Sequence, residues 1–222
     1  MGLLDIFTDI FKPIANAVSS VLKNTELMTA LMPILAVVIP PPFDVIAVVA
    51  LMAISAVMGV EEDPEKLGYQ MQEADKSPED FDSFKEYKEY LDKNYPFDQA
   101  KFDALDETHK QACRYVGMAG TMAELKEEKG FVMSEQMLGM LTRGCGSLGM
   151  DKDATATLAA NMTKADENIF TKVEDAVNGN LNPDVEDSLM ADIEKALKDS
   201  DSKITDPQDL IDVLRSNKTE DI

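Results

Sequence analysis

Hydrophobic positions at helical spacing begin at the start of the chain. Between residues 2 and 24, apolar side chains fall three or four positions apart, with polar and charged residues between them. A stripe of this period is typical of an amphipathic helix that buries one face. Its apolar face contains Leu3, Phe7, Ile10, Phe11 and Ile14. Such a face fits a protein core or a membrane surface, although membrane-surface helices usually carry cations and this polar side is nearly neutral.

Two long uncharged runs follow, Leu27–Phe43 and Val45–Val60, and only Asp44 separates them. Three consecutive prolines stand at the junction, Pro40, Pro41 and Pro42. Proline fixes φ and lacks a backbone donor, and it disfavours helix at the residue before it, so no straight helix can cross this junction. We therefore predict two short apolar helices joined by a bend, which we call the hydrophobic hairpin.

The arms of the hairpin are predicted at roughly Glu26–Val38 and Val45–Met58, with Asp44 as N-cap of the second arm and Gly59 as its end. The second arm is about 21 Å long, shorter than a hydrocarbon core of about 30 Å. The hairpin therefore either enters lipid as a re-entrant or buried pair, or forms an apolar core covered by other helices or subunits. Besides the first helix, the residues expected to insert or pack are Leu31, Ile34, Val38, the three prolines, Phe43, Asp44, Val48, Leu51 and Ile54.

The composition changes abruptly at Glu61, where acidic and polar residues replace the apolar runs. We place a domain boundary there and predict a hydrophobic module over 1–60, a polar linker over 61–78 and an acidic helical bundle over 79–222. Helix starts are predicted at Ser77-Pro78 and Ser134, and one long helix is predicted from Asp98 to Lys129, ended by Gly130. Further helices are predicted over 152–163, 165–177, 184–198 and 206–216. No run alternates with period two, so the predicted fold class is all-α.

The net charge is strongly negative and is concentrated in the bundle. The chain has 42 acidic and 21 basic residues, for a net charge of −21, and residues 1–60 contain only four of the acids and two of the lysines. Such a field repels phosphate backbones and argues against nucleic-acid binding. It also opposes approach to anionic lipid. We expect any insertion to be favoured by protonation of carboxylates or driven by assembly.

Motifs that resemble catalytic or metal sites lack their required context. Gly144–Gly149 reads G-x-G-x-x-G, but it follows a helical run instead of a strand, so a glycine corner between helices explains it better. The segment from Asp151 begins like a calcium loop and lacks the required Gly and Glu, which leaves Asp153 as a helix N-cap. His109 is the only histidine, and the cysteines, Cys113 and Cys145, are expected as partly buried thiols. We predict no enzyme activity, no cofactor and no metal.

The chain contains 14 methionines, several of them clustered in the bundle. Methionine fills irregular cores and also forms adaptable binding surfaces. The core is its commoner location, but the density between Met118 and Met140 also fits a docking face. The residues of this predicted partner face are Met118, Met122, Met137 and Met140.

A hydrophobic helical hairpin carried by a helical body resembles the general plan of colicin-type pore formers. It is also similar to small phage virion proteins that are packaged and then delivered into the host envelope. The resemblance covers the arrangement of elements only and transfers no residues; no second domain for receptor binding or import is seen. It implies a membrane-associated or virion-associated protein that inserts through its first 60 residues. No cleavable signal peptide is expected, because Asp5 and Asp9 stand where a positive n-region would be and the apolar run starts too late.

The expected partners are membrane lipid or partner subunits, and we expect an oligomer or a place in a larger assembly. The alternative function is that of a soluble structural protein whose hairpin packs against other subunits. The two functions differ in whether the hairpin contacts lipid.

Overall fold

The structure, a computed structural model, describes residues 39–200, 202 and 204–218. The predicted amphipathic helix over 2–24 and the first hairpin arm lie outside these residues. The same is true of eight residues predicted to insert or pack: Leu3, Phe7, Ile10, Phe11, Ile14, Leu31, Ile34 and Val38. The fold is therefore described from the proline junction onward.

The described part of the chain is all-α, as the sequence predicts, and contains no strand. Its helices are α1 (Phe43–Met58), α2 (Pro64–Glu73), α3 (Phe84–Asn94), α4 (Gln99–Asp103), α5 (Glu107–Lys129), α6 (Glu135–Ser147), α7 (Lys152–Ala165), α8 (Ile169–Asn178), α9 (Pro183–Asp199) and α10 (Pro207–Ser216), with one short 3₁₀ turn at Pro78–Asp80.

Most helices begin at a side-chain cap that satisfies free amides of the first turn. Ser134, for example, accepts a hydrogen bond from the Met137 N–H at 2.9 Å. Further caps are Asp63, Ser83, Asp98, Asp106, Asp151, Asn182 and Asp206. Gly59, Gly130 and Gly179 end their helices in the left-handed conformation. The predictions for Ser134, Gly59 and Gly130 are confirmed.

One continuous hydrophobic core extends from Ile39 to Leu214. Helix α1 lies within it and packs against α7, α5 and α6. Helices α2 and α5 form the closest pair in the fold. The second arm of the predicted hairpin is therefore a core helix of the body.

The structure differs from the sequence predictions in three local features. Residues 64–73, expected in a polar linker, form α2, whose apolar side chains are buried against α5. The single helix predicted over 98–129 is interrupted, because Asp98 caps the short α4 and Asp106 caps α5. Helix α6 continues to Ser147 through two glycines that were expected to break it.

Two predicted caps also differ from the structure. Asp44 lies inside the first turn of α1, where Pro42 occupies the cap position without a side-chain hydrogen bond. Asp151 caps α7 in place of Asp153, since its carboxylate accepts hydrogen bonds from the Asp153 and Ala154 amides. Asp151 and Asp153 carry the same side chain, and Pro42 makes no side-chain cap, so residue type alone does not locate either boundary.

Candidate functional site

The inner face of α1 is buried in the core of the bundle. Its buried side chains are Ala47, Val48, Ala50, Leu51 and Ile54, each 5% exposed or less. These include Val48, Leu51 and Ile54, which the sequence placed among the inserting residues. In this conformation they pack against helices of the same chain.

A buried ion network fixes the first turn of α1 to α5. Arg114 of α5 donates to Asp44 at 2.9 Å, to Glu65 at 2.7 Å and to Glu107 at 2.6 Å. Burial alone would lower the pKa of Arg114, but the hydrogen bonds to the three carboxylates raise it. The Asp44 side chain is only 3% exposed. A buried carboxylate that lost this arginine would be uncompensated, so the network locks α1 in place.

The proline junction forms a tight turn anchored to the same helix. The Phe43 N–H donates to the Pro40 carbonyl at 2.8 Å, and the Tyr115 hydroxyl donates to the Ile39 carbonyl at 2.6 Å. Pro40 is half-buried, and Pro41 and Pro42 are exposed. The chain therefore enters the bundle beside α5 and turns directly into α1.

The Phe43 ring packs at Gly146, where a β-carbon would lie 2.6 Å from the ring. Of the other two glycines in the G-x-G-x-x-G run, Gly144 faces Leu214, and Gly149 has a positive φ of 70° after the end of α6. The first two glycines of the run thus allow close packing of α6, and the third allows the turn after it. This agrees with a structural explanation of the glycines, although they do not break the helix.

The opposite side of α1 presents apolar side chains to solvent. Val45 and Met52 are 37% and 38% exposed, Ala56 is exposed and Val49 is partly exposed. Positions 45, 49, 52 and 56 are spaced four, three and four residues apart, so they form one stripe along the helix. We call these four residues the outer apolar face of α1. It is the candidate functional surface, since most of the other large apolar side chains described are in the core or against it.

The methionines of the predicted partner face are buried. Met118, Met122, Met137 and Met140 are 5% exposed or less and belong to the main core. They therefore form no exposed docking face in this conformation. Their position agrees with the commoner role of methionine as a core residue.

Two clusters bring buried carboxylates together. Lys88 bridges Glu124, at 2.8 Å, and Glu62. Burial raises the pKa of Glu124, and Lys88 opposes the shift. Elsewhere Glu135 and Glu174 line a cavity of about 130 Å³ with Met122, Phe131 and Met133. Burial raises the pKa of Glu135 to about 7 and also raises that of Glu174. The Glu135 carboxyl group can therefore take up a proton near neutral pH.

The residues considered for catalysis are otherwise in ordinary structural settings. His109 is exposed, and its ring lies 2.7 Å from the Asp106 carboxylate that caps the same helix. Cys113 and Cys145 are free and fully buried, deeper than the sequence suggested. Among the residues that the structure describes, no group of three or more His, Cys, Asp or Glu side chains could hold a metal ion.

Sequence analysis missed the ion network because its members are far apart in the chain. Asp44, Glu65 and Arg114 belong to three different helices, and no local pattern links them. One signal was available: Arg114 is the only charged residue between Lys110 and Glu124, in a run of small and apolar residues. An isolated arginine in such a run indicates a buried charge that needs a partner.

Helices long and apolar enough to cross a bilayer are not found between residues 39 and 218, within the positions described. Comparisons with known proteins give no match to this chain, whether with protein-family models, with curated proteins or with solved structures.

Proposed function

We propose that this chain is a non-enzymatic, membrane-interacting protein in which residues 1–38 engage lipid while α1 stays folded in the acidic bundle. The observation that carries the proposal is the two-sided character of α1. Its inner face is part of the core, and its outer face is apolar and exposed. The sequence before it, Leu27–Phe43, is uncharged. The bundle would hold an apolar N-terminal segment at its surface.

Energetics argue against insertion of the whole hairpin. If α1 left the bundle for lipid, the apolar faces of α5, α6 and α7 that Val48, Leu51 and Ile54 cover would be exposed to water, at about 1.5–3 kcal/mol for each side chain lost. The departure of α1 would also separate Asp44 from Arg114, and breaking a buried pair costs about 3–5 kcal/mol. The sum approaches the whole stability of a typical domain, about 5–15 kcal/mol. A role limited to residues 1–38 avoids this cost.

The charge of the bundle restricts the lipid that it can approach. Residues 61–222 contain 38 of the 42 acidic residues and 19 of the 21 basic ones. Anionic vesicles would repel this surface, with a range of about 10 Å at 0.1 M salt. We therefore expect stronger binding to zwitterionic vesicles than to anionic ones, and stronger binding at pH 4.5 than at pH 7.

A second candidate function is that of an assembly protein, and the exposure of Val45 and Met52 on a fixed helix favours it. An apolar stripe on a rigid element fits the face of another subunit without any rearrangement. In that case the chain would form an oligomer in aqueous buffer without lipid. The general plan shared with colicin-type pore formers and delivered virion proteins is consistent with the first proposal and does not distinguish it from the second.

Vesicle flotation of the full chain tests the proposal at pH 7 and pH 4.5, with phosphatidylcholine vesicles. We expect the wild type to float and Ile34→Asp to float far less. A charged side chain at the centre of an apolar segment costs about 2.5–3.5 kcal/mol, which corresponds to about a hundredfold weaker partitioning. Ser188→Asp, at an exposed position of α9, adds the same charge elsewhere and is the matched control.

Wild-type protein that stays unbound at both pH values would refute lipid engagement. Equal losses in Ile34→Asp and Ser188→Asp would also contradict it, because the effect would then come from net charge alone. Light scattering without vesicles tests the second candidate, which requires an oligomer that Met52→Asp dissociates.

A further inference from the structure

The apolar positions on the two sides of the proline turn mirror each other. After the turn, the outer apolar face of α1 has its residues at 45, 49, 52 and 56. Before the turn, every residue from 27 to 38 except Thr29 and Pro33 is apolar, and the mirrored positions are Leu27, Leu31, Ile34 and Val38. Each pair is equally distant from the turn that the Phe43 N–H closes on the Pro40 carbonyl. Val38 thus corresponds to Val45, and Leu31 corresponds to Met52.

We propose that residues 27–38 of the same chain dock antiparallel on the outer apolar face of α1. In this register Val38 lies against Val45, Ile34 against Val49 and Leu31 against Met52. The docked state is the form present in water. This docking proposal rests on the proposed function only for the later step, in which residues 27–38 leave α1 for lipid.

The position of the first described residues supports docking of residues 27–38 on this face. Ile39 is buried, and the Tyr115 hydroxyl holds its carbonyl at the N-terminal end of α1. A turn closed between residues i and i+3 reverses the chain, so the preceding segment starts beside the first turn of α1. At the rise of a helix, twelve residues extend about 18 Å, which is close to the length of the outer apolar face, and Pro33 would bend the segment near its middle.

Composition and tethering favour this segment over a second copy of the chain. No charged residue occurs between Glu26 and Asp44, so docking buries no unpaired charge. A covalent link of a few residues gives an effective concentration in the millimolar range. A stable interface between separate subunits buries about 1,200–2,000 Å². Four side chains, of which Val45 and Met52 are little more than a third exposed, offer far less.

Cysteine cross-linking of the full chain in lipid-free buffer tests the register. Leu31→Cys/Met52→Cys is treated with a short bis-maleimide at low protein concentration, and Ile34→Cys/Val49→Cys is the second pair. The native thiols do not compete, because Cys113 and Cys145 are fully buried and burial raises the pKa of each to about 12. Leu31→Cys/Ser188→Cys is the matched control, with its second cysteine exposed on α9.

We expect an intramolecular cross-link in both test pairs, seen as a shifted monomer band, at least tenfold faster than in the control. Circular dichroism and a thermal melt establish that each variant is folded. Equal rates in test and control pairs would overturn the proposal. A dimer band from Met52→Cys alone would overturn it in favour of a second copy.

Failure of this proposal can be told apart from failure of lipid engagement. A fast cross-link in a chain that does not float leaves the docking intact and refutes the lipid function. Flotation without any intramolecular cross-link refutes the docking alone. If both hold, the cross-linked Leu31→Cys/Met52→Cys protein should float less than the uncross-linked protein, because residues 27–38 can no longer leave α1.

Discussion

Glu135 is the first residue of α6, and its carboxyl group faces the cavity that Glu174 also lines. Burial raises its pKa to about 7, its own backbone N–H partly offsets the rise, and the charge of Glu174 adds to it. The pKa of Glu174 is raised mainly by burial, although the Ser134 hydroxyl donates to it at 2.7 Å. Ionised Glu135 therefore destabilises the folded state.

The stability of the fold should consequently rise as the pH falls from 8 to about 5. A carboxyl group whose pKa is higher in the folded state binds more protons there, so acidification between the folded value near 7 and the unfolded value near 4.5 favours folding. Glu135→Gln should remove much of this dependence. We expect it to stabilise by about 1–2 kcal/mol at pH 8, less than the full shift implies, because the charge also favours the helix N-terminus.

Thermal melts at pH 8 and pH 5 measure this effect, and 1–2 kcal/mol corresponds to a melting-temperature increase of about 2–8 °C for a chain of this size. At pH 5 the variant and the wild type should nearly coincide. Glu128→Gln, at an exposed position, is the matched control and should behave as wild type. A pH-independent gain in Glu135→Gln would show that the carboxyl group does not titrate as described.

At the scale of elements, the α2–α5 pair depends on the absence of two β-carbons. A β-carbon on Gly117 would lie 1.6 Å from the Pro64 carbonyl oxygen, and one on Gly68 would lie 1.8 Å from the Cys113 carbonyl oxygen. Both neighbours are backbone atoms, which cannot move aside without separating the helices. This close approach is what makes residues 64–73 a packed helix.

Gly117→Ala should therefore destabilise the protein strongly, although alanine is the better helix former by about 1 kcal/mol. We expect a loss of about 3–5 kcal/mol or failure to fold, because the backbones must separate. Gly120→Ala is the matched control on the same helix. Its β-carbon would meet only side-chain atoms, the ends of Leu67 and Met71 and the edge of the Phe84 ring, so we expect a change within about 2 kcal/mol. Urea unfolding measures the free energy of unfolding of both variants. Equal losses would contradict the explanation that Gly117 is required by a backbone contact.

Local patterns were enough to predict the all-α class and several helix ends. Ser134 and Gly130 act through hydrogen bonds and backbone conformations within a few residues of themselves, so their roles are readable from the sequence. Helix α2 was missed because its polar composition resembles a linker and its packing depends on Gly117, which is far away in the chain. The sequence left open whether α1 lies in lipid or in a core, because Arg114, the partner that makes Asp44 a core residue, is also far away in the chain.

At the scale of the whole molecule, α1 joins the first described residues to the last helices. It packs on α5, α6 and α7, and α6 in turn packs on α10. The sequence suggested a hydrophobic module separate from an acidic bundle, whereas the structure places half of the hairpin inside the bundle's core. A module that shares a core with the rest of the chain cannot open without weakening the whole fold.

Native-state hydrogen exchange should therefore show that α1 opens only with the whole molecule. We expect the amides of Leu51 and Ile54 to exchange with the same free energy as the amide of Leu125 in α5, equal to the global free energy of unfolding from urea unfolding.

Arg114→Met should lower the exchange free energies of α1 and α5 together by about 3–5 kcal/mol, because it leaves Asp44 buried without its partner. The matched control is Lys101→Met, which removes an exposed ion pair with Asp98. If the free energy of exchange in α1 were several kcal/mol lower than in α5, α1 would leave the bundle alone. Insertion of the whole hairpin would then be the better explanation of the apolar segment.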